Sequence, residues 1–278
     1  MQPQLYNESY LKNLSQKYSL VPSKKYGQNF LLQPEVIAAM VEVGEVEKDD
    51  VVVEVGPGFG VLTLALAEKA KQVIAFEIEK KLTPYWNDLQ KKYKNIEIVW
   101  GNVLYEFENQ AEIQTKPYSV IANLPYQITS LVMRKFLETA HKPRVLVLMV
   151  QKEVAERICA QAGDMSVLAL SVQYYGRPEI VMQVPRSYFW PVPAVDSAVI
   201  KININHEQHT SAQEDERFFK IVKTGFVSRR KMLIKNIGGI CARQKAEKVF
   251  EMLGLNPKAR PQELSVQQWR DLAQAIFS

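Results

Sequence analysis

Between residues 51 and 150, short apolar runs alternate with stretches of helical spacing. VVVEV (51–55) is β-branched and ends in glycines, and LTLALAEKA (62–70) follows with apolar residues at helix period. QVIAFEIE (72–79) reads as the next strand and KKLTPYWNDLQKKY (80–93) as a helix. IEIVW (96–100), YSVIA (118–122) and RVLVLMV (144–150) are further strands, and EIVMQV (179–184) and SAVIKININ (197–205) read as two strands at the end of the same sheet. Strand and helix in alternation predict an α/β domain with a mostly parallel sheet. The polar stretch HEQHTSAQEDE (206–216) reads as a linker. After it the period is helical to the end, in FFKIVKTGF (218–226), AEKVFEML (246–253) and VQQWRDLAQAIF (266–277). We therefore expect two domains, 1–208 and a small helical 209–278.

Composition narrows the class. The chain has 278 residues, 47% of them hydrophobic, which is enough for a substantial core. No apolar run reaches the length of a membrane span, and the first ten residues carry no apolar signal region. Cys159 and Cys241 lack metal-ligand spacing, and His141, His206 and His209 lack partners in sequence. These features predict reduced thiols, no metal site and a cytoplasmic protein with no membrane association. The net charge of +5 is modest, but residues 217–260 hold twelve Lys or Arg against only Glu247 and Glu251. Lys24 and Lys25 form a second basic pair. Clustered positive charge suits a phosphate backbone and equally suits a solvated helix face.

Two motifs carry candidate chemistry. EVGPGFG (54–60) joins the first strand to a helix, with Gly56, Gly58 and Gly60 at alternate positions. Such a loop lets a ligand lie against the backbone. Glu77 ends the next strand, where a carboxylate can accept from two ribose hydroxyls. The alternative is a tight turn with a surface Glu. A dinucleotide fingerprint would need glycine at Val61, and the chain has no Gly-Lys-Ser/Thr for a phosphate loop. S-adenosylmethionine, a nucleoside without pyrophosphate, remains.

The second motif is NLPYQITS (123–130), following the strand YSVIA. Ligands of such sheets sit beyond the carboxyl ends of the strands, so Asn123 to Tyr126 would face the crevice of Gly56 and Glu77. In methyl transfer to an exocyclic amine, the amine is a weak nucleophile because its lone pair is delocalised into the ring. The Asn carboxamide and the carbonyl before Pro125 could accept its two hydrogens and return density to nitrogen, with Tyr126 stacked on the base. The rival reading is a proline turn closing a strand.

With these segments in order, the chain resembles the RsmA/KsgA small-subunit rRNA adenine dimethyltransferases, within the wider family of erythromycin-resistance rRNA methyltransferases. KKYGQNFL (24–31), EVGPGFGVLT (54–63), FEIEKKL (76–82), NLPY, QKEVAERI (151–158), FWPVPAVDSAVI (189–200), FVSRRKMLIKNI (226–237) and GLNPKARPQELS (254–265) carry the likeness. It implies a Rossmann-like α/β methyltransferase sheet with a small C-terminal helical domain, using S-adenosyl-L-methionine. By resemblance Gln28, Asn29, Leu31, Gly56, Gly58, Glu77, Asn102 and Asn123 would bind the cofactor. Asn123, Pro125, Tyr126 and Phe189 would form the catalytic set, with Tyr126 and Phe189 sandwiching the adenine. Arg229, Arg230 and Lys231 are the expected phosphate contacts. The expected partner is small-subunit rRNA within an assembling subunit, methylated by a monomer at two adjacent adenosines near the 3′ end.

Two departures stand out. Asn102 occupies a place where the family has Asp, which predicts weaker cofactor binding. Met165, Ser166 and Val167 replace a Tyr-Gly-Arg, removing an Arg that could meet RNA. The rivals are a large-subunit methyltransferase of the resistance type, a weakly catalytic ribosome-assembly factor, and a small-molecule methyltransferase, which would not need the basic helical domain.

Overall fold

The computed structural model describes residues 3–22, 28–206 and 211–278. Lys24, Lys25, the 24–27 part of KKYGQNFL, His209 and the expected domain boundary lie outside the described residues.

The chain divides by packing into two compact units, Met1–Ala155 with Pro178–Ile204, and Glu156–Arg177 with Asn205–Ser278. The first unit opens with α1 (Glu8–Lys17), which Asn7 caps by accepting from the Tyr10 N–H at 3.0 Å. The strand pair β1 (Phe30–Leu31) and the helix α2 (Pro34–Val43) follow. Next come β2 (Val51–Val55), α3 (Val61–Ala67), β3 (Gln72–Glu77), α4 (Thr83–Lys92) and β4 (Ile96–Trp100). Lys80–Leu82, expected within one helix with α4, form a separate 3-10 turn, and Pro84 falls in the first turn of α4. Two short helices, α5 (Val103–Glu106) and α6 (Ala111–Thr115), lead to β5 (Tyr118–Asn123), α7 (Thr129–Glu138), β6 (Val145–Gln151) and α8 (Lys152–Ile158). After α9 (Val167–Tyr175) come β7 (Gly176–Val184), β8 (Phe189–Trp190) and β9 (Ser197–Ile204).

Seven strands form one sheet in the order β4-β3-β2-β5-β6-β9-β7. Strands β4 to β6 are parallel, and β9 runs antiparallel to β6. The five residues of β2 are all buried, as the continuous apolar run requires of a strand covered on both faces. The chain moves from β2 to β3 and β4 on one side and returns to β5 and β6 on the other. The crevice where that order reverses, at the carboxyl ends of β2 and β5, is where such sheets bind ligands.

The second unit contains α9 and the helices α10 (Ala212–Gly225), α11 (Leu233–Asn236), α12 (Arg243–Met252) and α13 (Val266–Phe277). Residues 211–216, read as linker, instead begin α10: Ser211 and Glu214 form a reciprocal capping box. An aromatic cluster joins α9, α10 and α13 of this unit. Tyr174 stacks on Phe218 at 4.0 Å between ring centroids, and the Arg270 guanidinium covers Tyr174 at 4.3 Å. The hydroxyl of Tyr174 donates to Asp215 at 2.8 Å. The Met165-Ser166-Val167 departure has a structural account here. Met165 is buried, and the Ser166 hydroxyl caps α9 by accepting from the Ala169 N–H at 3.1 Å.

Candidate active site

The glycine loop and the Asn-Leu-Pro-Tyr motif line one cavity, together with every expected cofactor residue. Its walls include Gln28, Asn29, Leu31, Gly56, Gly58, Glu77, Asn102, Asn123, Pro125 and Tyr126. Two side chains of α4 hold the carbonyls of the loop. Tyr85 donates to the Phe59 carbonyl at 2.8 Å and Trp86 to that of Gly58 at 3.1 Å. Gly60 has φ +83°, and a Cβ there would stand 2.8 Å from Trp86, so both conformation and contact demand glycine. Gly56, at φ +73°, has open space beside it: the first atom met by a Cβ would be Pro125, at 3.9 Å.

Glu77 ends β3 with its carboxylate folded back onto the backbone. One oxygen accepts from the N–H groups of Ile78 and Glu79, both at 2.8 Å, and the other from Gly58 at 3.1 Å. Burial pushes its pKa up, and these three N–H groups work against that. The first oxygen is thereby filled, and the one that accepts from Gly58 keeps an acceptor site for a ligand in the cavity.

Glu54 is the residue that sequence reading passed over. It stands in the buried strand β2, is 2% exposed, and lines the same cavity. Its Oε2 is buried without a hydrogen-bond partner. Burial pushes its pKa up to about 8, with the Thr63 hydroxyl opposing and the Glu77 carboxylate adding to the rise. A buried carboxyl with an unmet acceptor suits a cation in the cavity. The signal was present in the sequence, a lone acid inside the β-branched run VVVEV.

Asn102 caps α5, its side-chain oxygen accepting from the Leu104 N–H at 3.0 Å. Asn123 is the last residue of β5, in register with Met149 of β6. The next N–H, of Leu124, donates to the Met149 carbonyl at 3.2 Å, which holds the peptide leading into Pro125. Tyr126 begins a 3-10 turn, Tyr126–Ile128, and its hydroxyl lies 2.7 Å from the Ser197 hydroxyl.

Phe189, expected to sandwich the adenine with Tyr126, is placed differently. It is 2% exposed, packs in the core with Leu31, Val36 and Val199, and does not line the cavity. The physical reason is its pairing. Phe189 is opposite Leu31 in the β1–β8 ladder, and alternation sends the two neighbours of this strand to different clusters, Phe189 to one and Trp190 to the other.

In the second unit Arg229, Arg230 and Lys231 are all exposed. Arg230 and Lys231 line a surface depression with Lys235 and Asn236. The Asn236 amide ties this loop, donating to the carbonyls of Gly225 at 2.5 Å and Ser228 at 2.9 Å. Among the described residues no group of three or more His, Cys, Asp or Glu is arranged to hold a metal ion, and no helix is long and apolar enough to cross a membrane.

This arrangement matches known proteins along its length. The sequence model of the family described as ribosomal RNA adenine dimethylase matches residues 22–277. A ribosomal RNA small subunit methyltransferase A of Dehalococcoides mccartyi is 39% identical over 263 residues, covering 94% of this chain and 90% of the relative. The protein of that name in Geobacillus thermodenitrificans is 34% identical over 279 residues, covering 96% and 94%. Among solved structures, the 23S rRNA methyltransferase ErmE superposes with a TM-score of 0.73 at 27% identity, covering 89% of this chain and 99% of that one. A dimethyladenosine transferase from Plasmodium falciparum shares the fold with a TM-score of 0.75 at 24% identity, covering 87% and 95%. The chain belongs to the ribosomal RNA adenine dimethylase family.

Proposed function

We propose that this chain dimethylates the exocyclic amines of two adjacent adenosines near the 3′ end of 16S rRNA, within an assembling small ribosomal subunit, using S-adenosyl-L-methionine. When bound, that cofactor supplies a methyl group on a positively charged sulfur. The residues present fit it. Glu77 offers the open acceptor site on its Oε2 to a ribose hydroxyl, and the unpartnered Oε2 of Glu54 suits the cofactor's positive charge. Gly56 leaves the backbone open, while Gln28, Asn29, Leu31 and Asn102 complete the wall.

The target base enters from the Asn123 side. The Asn123 carboxamide oxygen and the Leu124 carbonyl accept the two amine hydrogens, which favours a pyramidal nitrogen with its lone pair free to attack. Tyr126 supplies a face that replaces stacking lost when the base leaves its helix. The proton leaves the product amine to solvent, and alignment carries the rate. The basic loop Arg229–Lys231 of the second unit takes RNA phosphate.

What supports this reading most directly is that the Asn-Leu-Pro-Tyr motif and the glycine loop line one cavity, with Pro125 the first group that a Cβ on Gly56 would meet, at 3.9 Å. The test is methyl transfer from labelled cofactor to immature small subunits and, in parallel, to large subunits, with mass spectrometry of the digested RNA. Dimethyladenosine at two adjacent small-subunit positions, lost in Asn123→Ala, is expected. Methylation of the large subunit alone would replace this reading with that of a resistance-type enzyme. Tight subunit binding without methylation would make the chain an assembly factor.

A further inference from the structure

We propose that Ser197 is a positioning residue for the reaction: it fixes the ring plane of Tyr126 through the hydrogen bond between their hydroxyls. The proposal rests on the adenine methyltransferase reading above. It assigns a task to a residue far from the motif in sequence and brought to it by the topology of the sheet.

The sheet explains how a residue 71 positions away reaches the site. Asn123 of β5 is in register with Met149 of β6, and Met149 with Val199 of β9. Because β9 runs antiparallel to β6, its first residue lies at the carboxyl edge of β6, where Ser197 is opposite Gln151. That is the edge at which β5 ends in Asn123. The one reversed strand next to β6 thus delivers a hydroxyl to the edge where the parallel strands open their ligand crevice. Tyr126, three residues past Asn123, reaches across to it.

The tether has work to do because the ring sits on a short segment at the cavity edge. Tyr126 stands at the start of a 3-10 segment of three residues and is only partly buried, with one side on the cavity. A short 3-10 turn holds a side chain weakly, and an aromatic ring turns about two torsions. Ser197, by contrast, is fully buried and anchored in a strand ladder. A hydroxyl pair at 2.7 Å is at the usual O–H···O distance, and burial of one partner shields it from competing water. Phenylalanine at position 126 would present the same face without the tether. The hydroxyl accordingly serves orientation, and the stacking area comes from the ring.

The consequence is a split between two kinds of readout. Removing the tether leaves the glycine loop, Glu54 and Glu77 in place, so cofactor affinity should hold. It loosens the base, so turnover should fall. We expect Ser197→Ala to lower kcat for methyl transfer about tenfold, as loosened alignment does, with cofactor Kd unchanged by calorimetry. Tyr126→Phe should do the same. In the Tyr126→Phe background, Ser197→Ala should cost nothing further, because the bond it would break is already absent.

The four proteins are compared by steady-state methylation of immature small subunits, with cofactor titration and thermal melting of each. Equal losses from Ser197→Ala in the wild-type and Tyr126→Phe backgrounds would show that Ser197 acts by packing, and would overturn the proposal. Wild-type kcat in Ser197→Ala would overturn it as well. Loss of cofactor affinity along with a lowered Tm in Ser197→Ala would assign the residue to the fold instead. Absence of methylation by the wild type would remove the function reading and this proposal with it, whereas an active wild type with an additive cycle removes this proposal alone.

Discussion

Glu77 and Gly58 are joined by a hydrogen bond of 3.1 Å, from the backbone N–H of the glycine loop to the carboxylate that closes β3. The acid that faces the cavity therefore also braces the loop on which a ligand would lie. Glu77→Gln would turn an NH₂ group toward N–H donors on one side or the other. We expect cofactor affinity to fall by about 1.5–3 kcal/mol, the range for hydrogen bonds to a charged group, and Tm to fall with it. Calorimetric titration and melting check both. A loss of affinity at unchanged Tm would separate the two roles.

Glu54 should make stability depend on pH. Its pKa rises from 4.5 to about 8 in the folded chain. The folded protein then holds a proton that the unfolded chain releases, so stability falls as pH rises between those values. Glu54→Gln cannot ionise. Its Tm relative to wild type should climb across that window and level off below about pH 4.5. Cofactor should raise the wild-type Tm more than the variant's at the alkaline end, since only the carboxylate gains from a bound cation. A Tm difference that stays flat with pH would refute the assignment.

Asn102 invites the reverse substitution. Its oxygen already caps α5 through the Leu104 N–H. Asn102→Asp would keep that bond, add negative charge at a helix start, and offer a charged acceptor to the cavity. Cofactor should bind about three- to tenfold tighter, roughly 1 kcal/mol, as expected for one charge-assisted bond. Titration of the two proteins side by side decides it.

Arg229, Arg230 and Lys231 should act through phosphate. Replacing all three with Ala should weaken RNA binding and lower the slope of log affinity against log salt by about 2–3, roughly 0.7–0.9 for each phosphate no longer neutralised. An unchanged slope would take these residues out of the interface.

Much of this is legible in the sequence because the determinants are local. The alternation of apolar runs with helical segments marks the α/β unit, and the glycine loop, Glu77 and Asn123 each sit at a strand end that periodicity alone locates. What escapes depends on contacts distant along the chain. Phe189 is drawn into the core by its pairing with Leu31, a ladder between two-residue strands that no period can signal. Residues 156–177 pack with the C-terminal helices although the chain passes through β7 and β9 before reaching them. The N-terminal segment does more than lead into the sheet. Its Leu5, Leu11 and Leu20 line the cavity, and the apolar spacing behind Asn7 as a cap is the local sign of that helix. Glu54 is hidden by its surroundings, an acid in a run that otherwise reads as core.

The switch in strand order between β2 and β5 divides the sheet's ligand edge into two territories of separate ancestry along the chain. Gly56, Glu77 and Asn102 follow or end β2, β3 and β4, whereas Tyr126 follows β5 and Ser197 begins β9 on the other flank. Substitutions at the start of β9 can therefore alter the Tyr126 side of the cavity while leaving Gly56, Glu77 and Asn102 on strands that β9 does not pair with.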